Sequence, residues 1–282
     1  TTMETADQLK KLVKEQYTEI AEQDKASNQS SCCGSGCCSD EVYNIMSEDY
    51  AGLKGYNPDA DLGLGCGLPT QFARIRKGDT VLDLGSGAGN DCFIARAETG
   101  DTGKVIGVDM TEAMIAKARA NAEKLGLNNV EFRLGEIEAL PVGVGTIDVV
   151  VSNCVLNLVP DKKKAFSEIN RVLKPGGHFS ISDIVLVGEL PDSILKTAEL
   201  YAGCVAGAIQ KDAYLGMVRE AGFENITLQK EKAISIPDDI LAHYLSPEQL
   251  EEFKHSGTGI YSITVYAEKK KDACCDKDTC CK

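Results

Sequence analysis

The chain lacks several features that would assign it to large classes of proteins. No apolar run reaches the roughly 18 residues of a membrane-spanning helix, and the stretch TTMETADQLKKLVKEQY has no apolar core of a secretion signal. Basic residues are in deficit, with 30 lysines and arginines against 43 aspartates and glutamates. The resulting net charge of −13 repels phosphate backbones. We therefore expect no export, no membrane association and no nucleic-acid partner.

Cysteine, in contrast, is abundant, with twelve in the chain. Eight of them stand in two terminal clusters, CCGSGCC and CCDKDTCC, which contain Cys32, Cys33, Cys37, Cys38, Cys274, Cys275, Cys280 and Cys281. The other four, Cys66, Cys92, Cys154 and Cys204, are scattered through the body. A secreted disulfide scaffold would be shorter, with its cysteines spread along it. The pattern suits a reducing cytoplasm, where thiols stay reduced and bind soft metals.

Strand and helix patterns alternate along the body of the chain. The segments VLDLG, KVIGVDM, VEFRLGE, TIDVVVSNC and HFSISDIV predict strands. Helices are predicted between them, one with Thr111 as its N-cap and another ended by KPGG. Two later segments, NITLQKEKAISI and YSITVYAEK, alternate in polarity and predict an antiparallel pair at the sheet edge. This order is typical of an α/β fold with a mostly parallel sheet.

Composition divides the chain into four parts. Residues 1–45 combine an amphipathic helix with a polar, cysteine-rich arm, and residues 46–230 form the core. Residues 231–268 contain edge strands with a polar helical insertion, and residues 269–282 form a charged, cysteine-rich tail. The arm and the tail have too little apolar surface to pack on their own.

A glycine-rich turn, VLDLGSGAGND, follows the first strand and indicates a cofactor site. It contains Gly85, Gly87 and Gly89, whose missing Cβ atoms let the backbone approach a ligand closely. Asp109 ends the next strand, where its carboxylate can accept hydrogen bonds from both hydroxyls of a ribose. A dinucleotide site would have Gly or Ala in place of Asn90. The flanking Asp83 and Asp91 instead favour a ligand with sulfonium and ammonium groups.

At these motifs the sequence resembles the class I S-adenosylmethionine-dependent methyltransferases. The matching pieces are VLDLGSGAG, VIGVDMTEAMIAKAR, LGEIEALP, IDVVVSN, RVLKPGG and EAGF, in this order across residues 78–225. The resemblance implies S-adenosyl-L-methionine as the cofactor. It also implies a Rossmann-like α/β fold with a mostly parallel seven-stranded sheet, helices on both faces and an antiparallel edge strand.

The resemblance also implies a role for each residue in the cofactor motifs. Core packing is a competing interpretation of the two apolar side chains among them, Met110 and Ile137. The implied residues are Asp83, Gly85, Gly87 and Gly89 around the methionine moiety, Asp109 at the ribose, Met110, Gly135, Glu136 and Ile137 around the adenine, and Asn153 near the methionine end.

The predicted acceptor site contains thiols and no base. All three histidines, His178, His243 and His255, lie outside the cofactor motifs, so the sequence indicates no general base. Three cysteines stand on loops that could converge: Cys66 in LGLGCGLP, Cys154 at a strand end, and Cys204 in YAGCVAGAI. Thiolates select soft, thiophilic centres. Trivalent arsenic held by three thiolates keeps a lone pair that can attack a methyl group without a base.

Three longer segments, GYNPDADLGLGCGLP, SNCVLNLVPDK and GCVAGAI, are similar to the arsenite S-adenosylmethionine methyltransferases, a family that covers almost the whole chain. The resemblance implies that Cys154 and Cys204 bind trivalent arsenic and that Cys66 completes a thiol relay. Cys66 and one cysteine of the arm, preferably Cys32, would form a disulfide after methyl transfer. Thioredoxin or glutathione would then reduce it. Arsenite and methylated arsenicals would be the partners of the chain.

Other interpretations stay open at this point. Cys92, on the helix after the glycine-rich turn, is expected to fill the core. The chain could instead be a quinone-like, small-molecule C- or O-methyltransferase in which the cysteines are incidental. It could also be a thiol-rich protein that sequesters arsenic or another metal and consumes no cofactor.

Overall fold

The computed structural model describes residues 6–22, 49–201, 203–236 and 238–271. The strands are β1 (Thr80–Leu84), β2 (Lys104–Asp109), β3 (Val130–Leu134), β4 (Ile147–Asn153), β5 (Leu173–Val187), β6 (Ile209–Gln210), β7 (Phe223–Ala233) and β8 (Gly259–Lys269). The α-helices are α1 (Ala6–Glu22), α2 (Pro69–Phe72), α3 (Asn90–Thr99), α4 (Glu112–Lys124), α5 (Lys162–Val172), α6 (Asp192–Tyr201), α7 (Lys211–Glu220), α8 (Asp238–Leu241) and α9 (Pro247–Ser256).

The strands form one mixed sheet in the order β3-β2-β1-β4-β5-β8-β7. The first five are parallel, and β8 runs antiparallel to both β5 and β7. The two-residue strand β6 adds a short parallel pairing with β5 at Val185 and Leu186, which makes eight strands where the sequence predicts seven. The predicted α/β fold with an antiparallel edge is confirmed.

Helices cover both faces of this sheet, and each face has its own core. On one face Phe166 of α5 and Tyr214 of α7 pack with Leu82 and Val150. On the other face α1, α3 and α4 pack with Val81 and Val149. Neighbouring residues of β1 and β4 therefore point to opposite cores, because side chains alternate along a strand. This double burial is why these strands read as continuous apolar runs.

The KPGG segment differs from its prediction as a helix stop that lies outside the following strand. β5 begins at Leu173 and includes the segment, with Leu173 opposite Ile147 and an irregularity before Val149. A Cβ on Gly177 would lie 2.9 Å from the carbonyl oxygen of Asp148, so the two backbones approach closely there. Pairing with β4 overrides the low strand propensity of Gly and Pro.

Two helix starts show different capping. Helix α4 does follow Thr111, but the Thr111 side chain makes no capping bond, and the carboxylate of Asp109 accepts its backbone N–H instead. In the predicted helical insertion, Ser246 and Gln249 form a reciprocal capping box at the start of α9.

Within the described ranges, none of the helices combines the length and apolarity that a membrane crossing requires.

Candidate cofactor pocket and thiol cluster

A pocket opens at the carboxyl ends of β1, β2 and β4, where the order of parallel strands reverses and ligands bind in such sheets. Its lining includes every predicted cofactor residue except Gly89. Gly89 precedes α3 with φ +99°, and a Cβ there would lie 2.9 Å from ring atoms of Phe93 and Phe132. Gly89 thus allows the turn to pack against these two rings and does not line the pocket.

The glycine-rich turn holds its neighbours at close range. Gly85 has φ +67°, and a Cβ on it would lie 2.4 Å from Cγ2 of Val155. The N–H of Gly87 donates to Oδ2 of Asp109, at 3.0 Å. The turn is therefore packed against the loop after β4 on one side and bonded to the end of β2 on the other.

Asp109 is oriented by backbone donors from two sides. Besides Gly87, the N–H of Thr111 donates to its Oδ1, at 2.9 Å. Burial raises the pKa of Asp109, and these hydrogen bonds oppose that rise. A carboxylate has about four acceptor sites, which hydroxyl donors from a ligand would share with these backbone groups. The predicted ribose role agrees with this geometry and stays a prediction.

A second group of carboxylates lies deeper in the pocket. Asp83 is 2% exposed, and its Oδ2 accepts a hydrogen bond from Sγ of Cys92 at 3.2 Å. Burial raises the pKa of Asp91 to about 6, against hydrogen bonds from Asn153, Tyr50 and Thr70. Burial, and then the charge of Asp91, raise the pKa of Asp83 well above its usual value. A bound cation would relieve this crowding of negative charge.

The sequence indicated only part of this acidic surface. Asp91 was noted beside the turn and Asp61 lies in the segment GYNPDADLGLGCGLP, but neither was among the predicted site residues, and Tyr50 carried no motif. Carboxylates outnumber basic groups six to one among the described residues that line the pocket. Cys92 is fully buried in the core, as expected, although its thiol also contacts Asp83. The pocket fits a ligand that combines positive charge with hydroxyl donors.

Helix α1 covers one side of the pocket, a role that its amphipathic pattern did not reveal. Val13 and Tyr17 line the pocket together with Lys10. Nζ of Lys10 lies 2.6 Å from Oε2 of Glu136 and 2.8 Å from Oε2 of Glu138. These two ion pairs connect the N-terminal helix to the far wall of the pocket.

Three predicted thiol positions meet in one apolar cluster next to the pocket. Cys66 and Cys154 are 2% and 4% exposed and are joined by a disulfide bond, with their Cα atoms 5.8 Å apart. Cys204 packs against the same cluster, with Ile184 and Val205. Cys154 also lines the cofactor pocket, so pocket and cluster share a wall. The structure therefore brings together the three cysteines that the sequence singled out.

The disulfide pairing in the cluster differs from the pairing in the predicted relay. The sequence paired Cys66 with an arm cysteine, preferably Cys32, which lies outside the described residues. The structure instead bonds Cys66 to Cys154. In this form, the part of the chain that the structure describes presents no set of three Cys, His, Asp or Glu able to hold a metal ion. Reduction of the bond would free both sulfurs.

Two further groups set the chemistry of the cluster. Cys154 has φ +59°, an uncommon backbone conformation for a residue other than glycine, and its N–H donates to the carbonyl oxygen of Ser182. Burial raises the pKa of the Cys204 thiol to about 12, and the charge of Asp183 adds to this rise. Cys204 therefore stays a neutral thiol at physiological pH until a ligand displaces its proton.

Comparisons with known proteins show the family of the chain. A family model described as a methyltransferase domain matches residues 75–222. An arsenite methyltransferase of Halobacterium salinarum is 42% identical over 280 residues, which cover 93% of this chain and 67% of that protein. One from Aquipseudomonas alcaligenes is 40% identical over 151 residues, 51% of this chain and 44% of the relative. The chain thus spans about two thirds of the first relative and less than half of the second.

A solved structure shows the same fold. The arsenic(III) S-adenosylmethionine methyltransferase of Chlamydomonas reinhardtii superposes with a TM-score of 0.61 at 36% sequence identity. The match covers 74% of this chain and 68% of that one.

Proposed function

Because the chain belongs to the arsenite methyltransferase family, we propose that it transfers methyl groups from S-adenosyl-L-methionine to trivalent arsenic. The single observation that carries the proposal is the shared wall between an acidic pocket and a cluster of three cysteines. Neither a quinone nor another organic acceptor requires three sulfur atoms at that wall. A soft metalloid does.

The pocket residues fit the proposed cofactor. Asp83 and Asp91 supply negative charge for an ammonium and a sulfonium group, and Asp109 offers acceptors to the ribose. A Cβ on Gly135 would lie 2.7 Å from the ring of Pro141, so a side chain would not fit at this position of the pocket lining. Met110 and Ile137 supply apolar contacts for a base. When bound, the cofactor supplies an electrophilic methyl group.

The cysteines would hold the substrate. Each thiol that replaces a hydroxyl of arsenite forms one As–S bond and releases one water, so Cys66, Cys154 and Cys204 need no prior ionisation. The high pKa of Cys204 is therefore no obstacle. The arsenic lone pair attacks without a base. In agreement with this, His178 is engaged elsewhere, because its Nε2 lies 2.6 Å from the carbonyl oxygen of Ala73. The main task of the protein is to position the two reactants.

The proposal includes a redox cycle. Methylation formally oxidises arsenic by two electrons, and two cysteine thiolates that join as a disulfide return those electrons, so the product stays trivalent. Two molecules of glutathione, or the dithiol of a thioredoxin, then reduce the disulfide and become oxidised in turn. The Cys66–Cys154 bond is our candidate for this disulfide, and attack of the Cys32 thiolate on Cys66 would convert it into a Cys66–Cys32 disulfide with release of the Cys154 thiolate. A cytoplasmic location, where such reductants are maintained, belongs to the same proposal.

The decisive experiment incubates the full chain with arsenite, S-adenosylmethionine and glutathione, and separates arsenic species by chromatography with elemental mass detection. Wild type is expected to form methylated arsenicals. Cys154→Ser and Cys204→Ser are expected to lose both arsenite binding and methylation, at least 100-fold. Cys92→Ser should retain arsenite binding, because Cys92 lies in a different core. Cys66→Ser should block arsenite methylation but accept methylarsenite, which needs one thiol fewer.

Two outcomes would reject the proposal. If both serine variants keep wild-type methyl transfer to an organic acceptor and no arsenical forms, the chain is a small-molecule C- or O-methyltransferase. If arsenite binds at micromolar concentration while S-adenosylmethionine is not consumed, the chain sequesters arsenic.

A further inference from the structure

The loop that carries Cys66 is held by a single amide side chain. Oδ1 of Asn153 accepts the N–H groups of Cys66, at 3.1 Å, and of Gly67, at 3.2 Å. Its Nδ2 donates to the carbonyl oxygen of Gly67, at 2.8 Å. Since Cys154 directly follows Asn153 in the chain, one residue connects the backbones of both cysteines in the bonded pair.

Tyr50 supports the same loop from a second direction. Its hydroxyl lies 2.9 Å from the carbonyl oxygen of Gly67 and also accepts a hydrogen bond from Nδ2 of Asn153. Burial raises the pKa of Tyr50 well above its usual value, so the hydroxyl keeps its proton and donates. A Cβ on Gly65 would lie 2.6 Å from Nδ2 of Asn153 and 3.0 Å from the Tyr50 oxygen. The loop is therefore tightly packed on both groups.

The far side of the loop is fixed as well. Oγ of Ser262, on β8, donates to the carbonyl oxygen of Cys66 at 2.8 Å. A Cβ on Gly67 would lie 2.5 Å from Oγ of Ser182, on β5. The position of the Cys66 sulfur thus depends on a network of hydrogen bonds, of which Asn153 contributes the largest share.

The same two side chains reach a carboxylate of the cofactor pocket. Oδ2 of Asp91 lies 3.2 Å from the Tyr50 hydroxyl and 3.4 Å from Nδ2 of Asn153. Asp91 lines the pocket, and Thr70 contacts its other oxygen at 3.4 Å. A ligand at Asp91 is therefore separated from the backbone of Cys66 by one side chain.

We propose that Asn153 and Tyr50 are positioning residues that hold the Cys66 sulfur beside Cys154 and couple the thiol cluster to the cofactor pocket through Asp91. The inference rests on the proposed function. A cation in the pocket keeps Asp91 ionised, and hydrogen bonds to an ionised acceptor are shorter and stronger. Because Tyr50 and Asn153 bond both Asp91 and the Cys66 loop, fixing these two side chains from the pocket also orders the loop. Cofactor and arsenite then each tighten the binding of the other by the same factor, as linkage requires.

The first test measures this factor. Calorimetric titration of the reduced chain with S-adenosylhomocysteine, which cannot react, is done with and without saturating arsenite. Wild type is expected to bind it at least about fivefold more tightly with arsenite present. In Tyr50→Phe the ratio should fall towards one, while arsenite alone still binds. The matched control is Tyr261→Phe, whose hydroxyl donates to the carbonyl oxygen of Gly257 in an exposed turn, and its ratio should equal that of wild type.

The second test needs neither ligand. The chain is equilibrated in glutathione buffers of graded potential, and the Cys66–Cys154 disulfide is quantified by differential alkylation and peptide mass spectrometry. Two glutathiones reduce the bond and leave as glutathione disulfide. The buffer in which half of the bond is reduced therefore gives the effective concentration of the Cys66 sulfur at the Cys154 sulfur. Asn153→Ser is expected to lower that effective concentration about tenfold. Its thermal unfolding midpoint is compared with that of the control variant Tyr261→Phe to check that it folds.

The outcomes separate this inference from the proposed function. An unchanged ratio in Tyr50→Phe, or an unchanged sulfur concentration in Asn153→Ser, overturns the positioning role even if the chain methylates arsenite. If no methylated arsenical forms in wild type, the proposed function fails, whereas the disulfide measurement still decides the role of Asn153. If Tyr50→Phe does not fold, the ratio measured in Asn153→Ser decides the coupling.

Discussion

At the scale of single residues, the Asp91 carboxylate is linked to both the cofactor pocket and the thiol cluster. It lines the pocket, receives hydrogen bonds from Tyr50 and Asn153, and stands near a second buried carboxylate, Asp83. Its pKa of about 6 lies above the ordinary value near 4, because burial disfavours the charged form. Cofactor binding should therefore respond to pH in the range where most enzymes are assayed.

We expect the affinity for S-adenosylmethionine to rise between pH 5 and pH 7 and then to level off. Below pH 6 Asp91 is mostly protonated and attracts a cation weakly, and above pH 6 it is ionised. Binding at pH 6 should release a fraction of a proton, measured by calorimetry in buffers of different ionisation enthalpy. Asp91→Asn should bind more weakly at pH 7 and show a flatter profile. An equally steep profile in that variant would assign the titration to another group.

The individual site residues differ in how far the sequence could identify them. Asp109 stands at a strand end after an apolar run, 20 residues beyond a glycine-rich turn, and this local pattern places it in the pocket. Tyr50 lies in a segment without periodicity, and its partner Asn153 is 103 residues away. Such a contact arises only when the sheet brings two loops together. Local pattern therefore indicates the cofactor residues better than the residues that support them.

At the scale of elements, helix α1 joins the pocket through charge and apolar packing. Val13, Ile20 and Ala21 are buried, and Lys14 adds an ion pair with Glu112 of α4. Lys10 spans the pocket opening to Glu136 and Glu138. The amphipathic pattern predicted the helix, but charge on a polar face usually means solvent exposure, so the sequence could not show that Lys10 closes a pocket.

We expect Lys10→Met to weaken cofactor binding two- to tenfold at low salt, because partly exposed ion pairs contribute at most about 1 kcal/mol each. The effect should shrink at 0.5 M salt, where such pairs are screened. Lys11→Met is the matched control, since the Lys11 side chain is 77% exposed and pairs with Glu15 of the same helix. Calorimetry at both salt concentrations gives the comparison. Equal affinities for the two variants would show that α1 does not hold the cofactor.

The strand β5 shows the opposite limit of sequence reasoning. Its first residues, LKPGG, have the composition of a turn, and the sequence analysis ended the helix there. The structure continues the strand through them because Leu173 pairs with Ile147, and Lys174 forms an ion pair with Asp148 at 2.8 Å. Partners far along the chain decided this boundary, whereas the order and direction of the central strands followed from local periodicity alone.

At the scale of the whole molecule, stability should depend on a buried carboxylate that does not line the cofactor pocket. Asp183 on β5 is fully buried, and its Oδ2 accepts the Tyr214 hydroxyl at 2.8 Å. Among the residues that the structure describes, none forms a hydrogen bond with its Oδ1. Burial raises the pKa of Asp183 to about 7, against the Tyr214 hydrogen bond and the charge of Lys162. The folded chain thus holds a proton that the unfolded chain releases near pH 4.

The stability that Asp183 contributes is therefore complete below pH 4 and is lost as the pH rises to 7. Asp183→Asn should gain stability relative to wild type over that window, by about 3–4 kcal/mol between pH 4 and pH 8. Tyr214→Phe removes the opposing hydrogen bond and should extend the loss to higher pH. Urea unfolding at pH 5, 6, 7 and 8 measures the difference. A constant gap between Asp183→Asn and wild type would contradict the assignment.

The placement of β8 has a consequence for how the protein is made. This strand lies between β5 and β7 and pairs with β5 from His178 to Val187, although it is the last described strand to leave the ribosome. It also brings Ser262 to the carbonyl of Cys66. A nascent chain that ends before residue 259 thus exposes an unpaired edge and leaves the Cys66 loop without one of its anchors. The thiol cluster can therefore be completed only after β8 has been synthesised, so fragments that stall before this strand cannot mature into it.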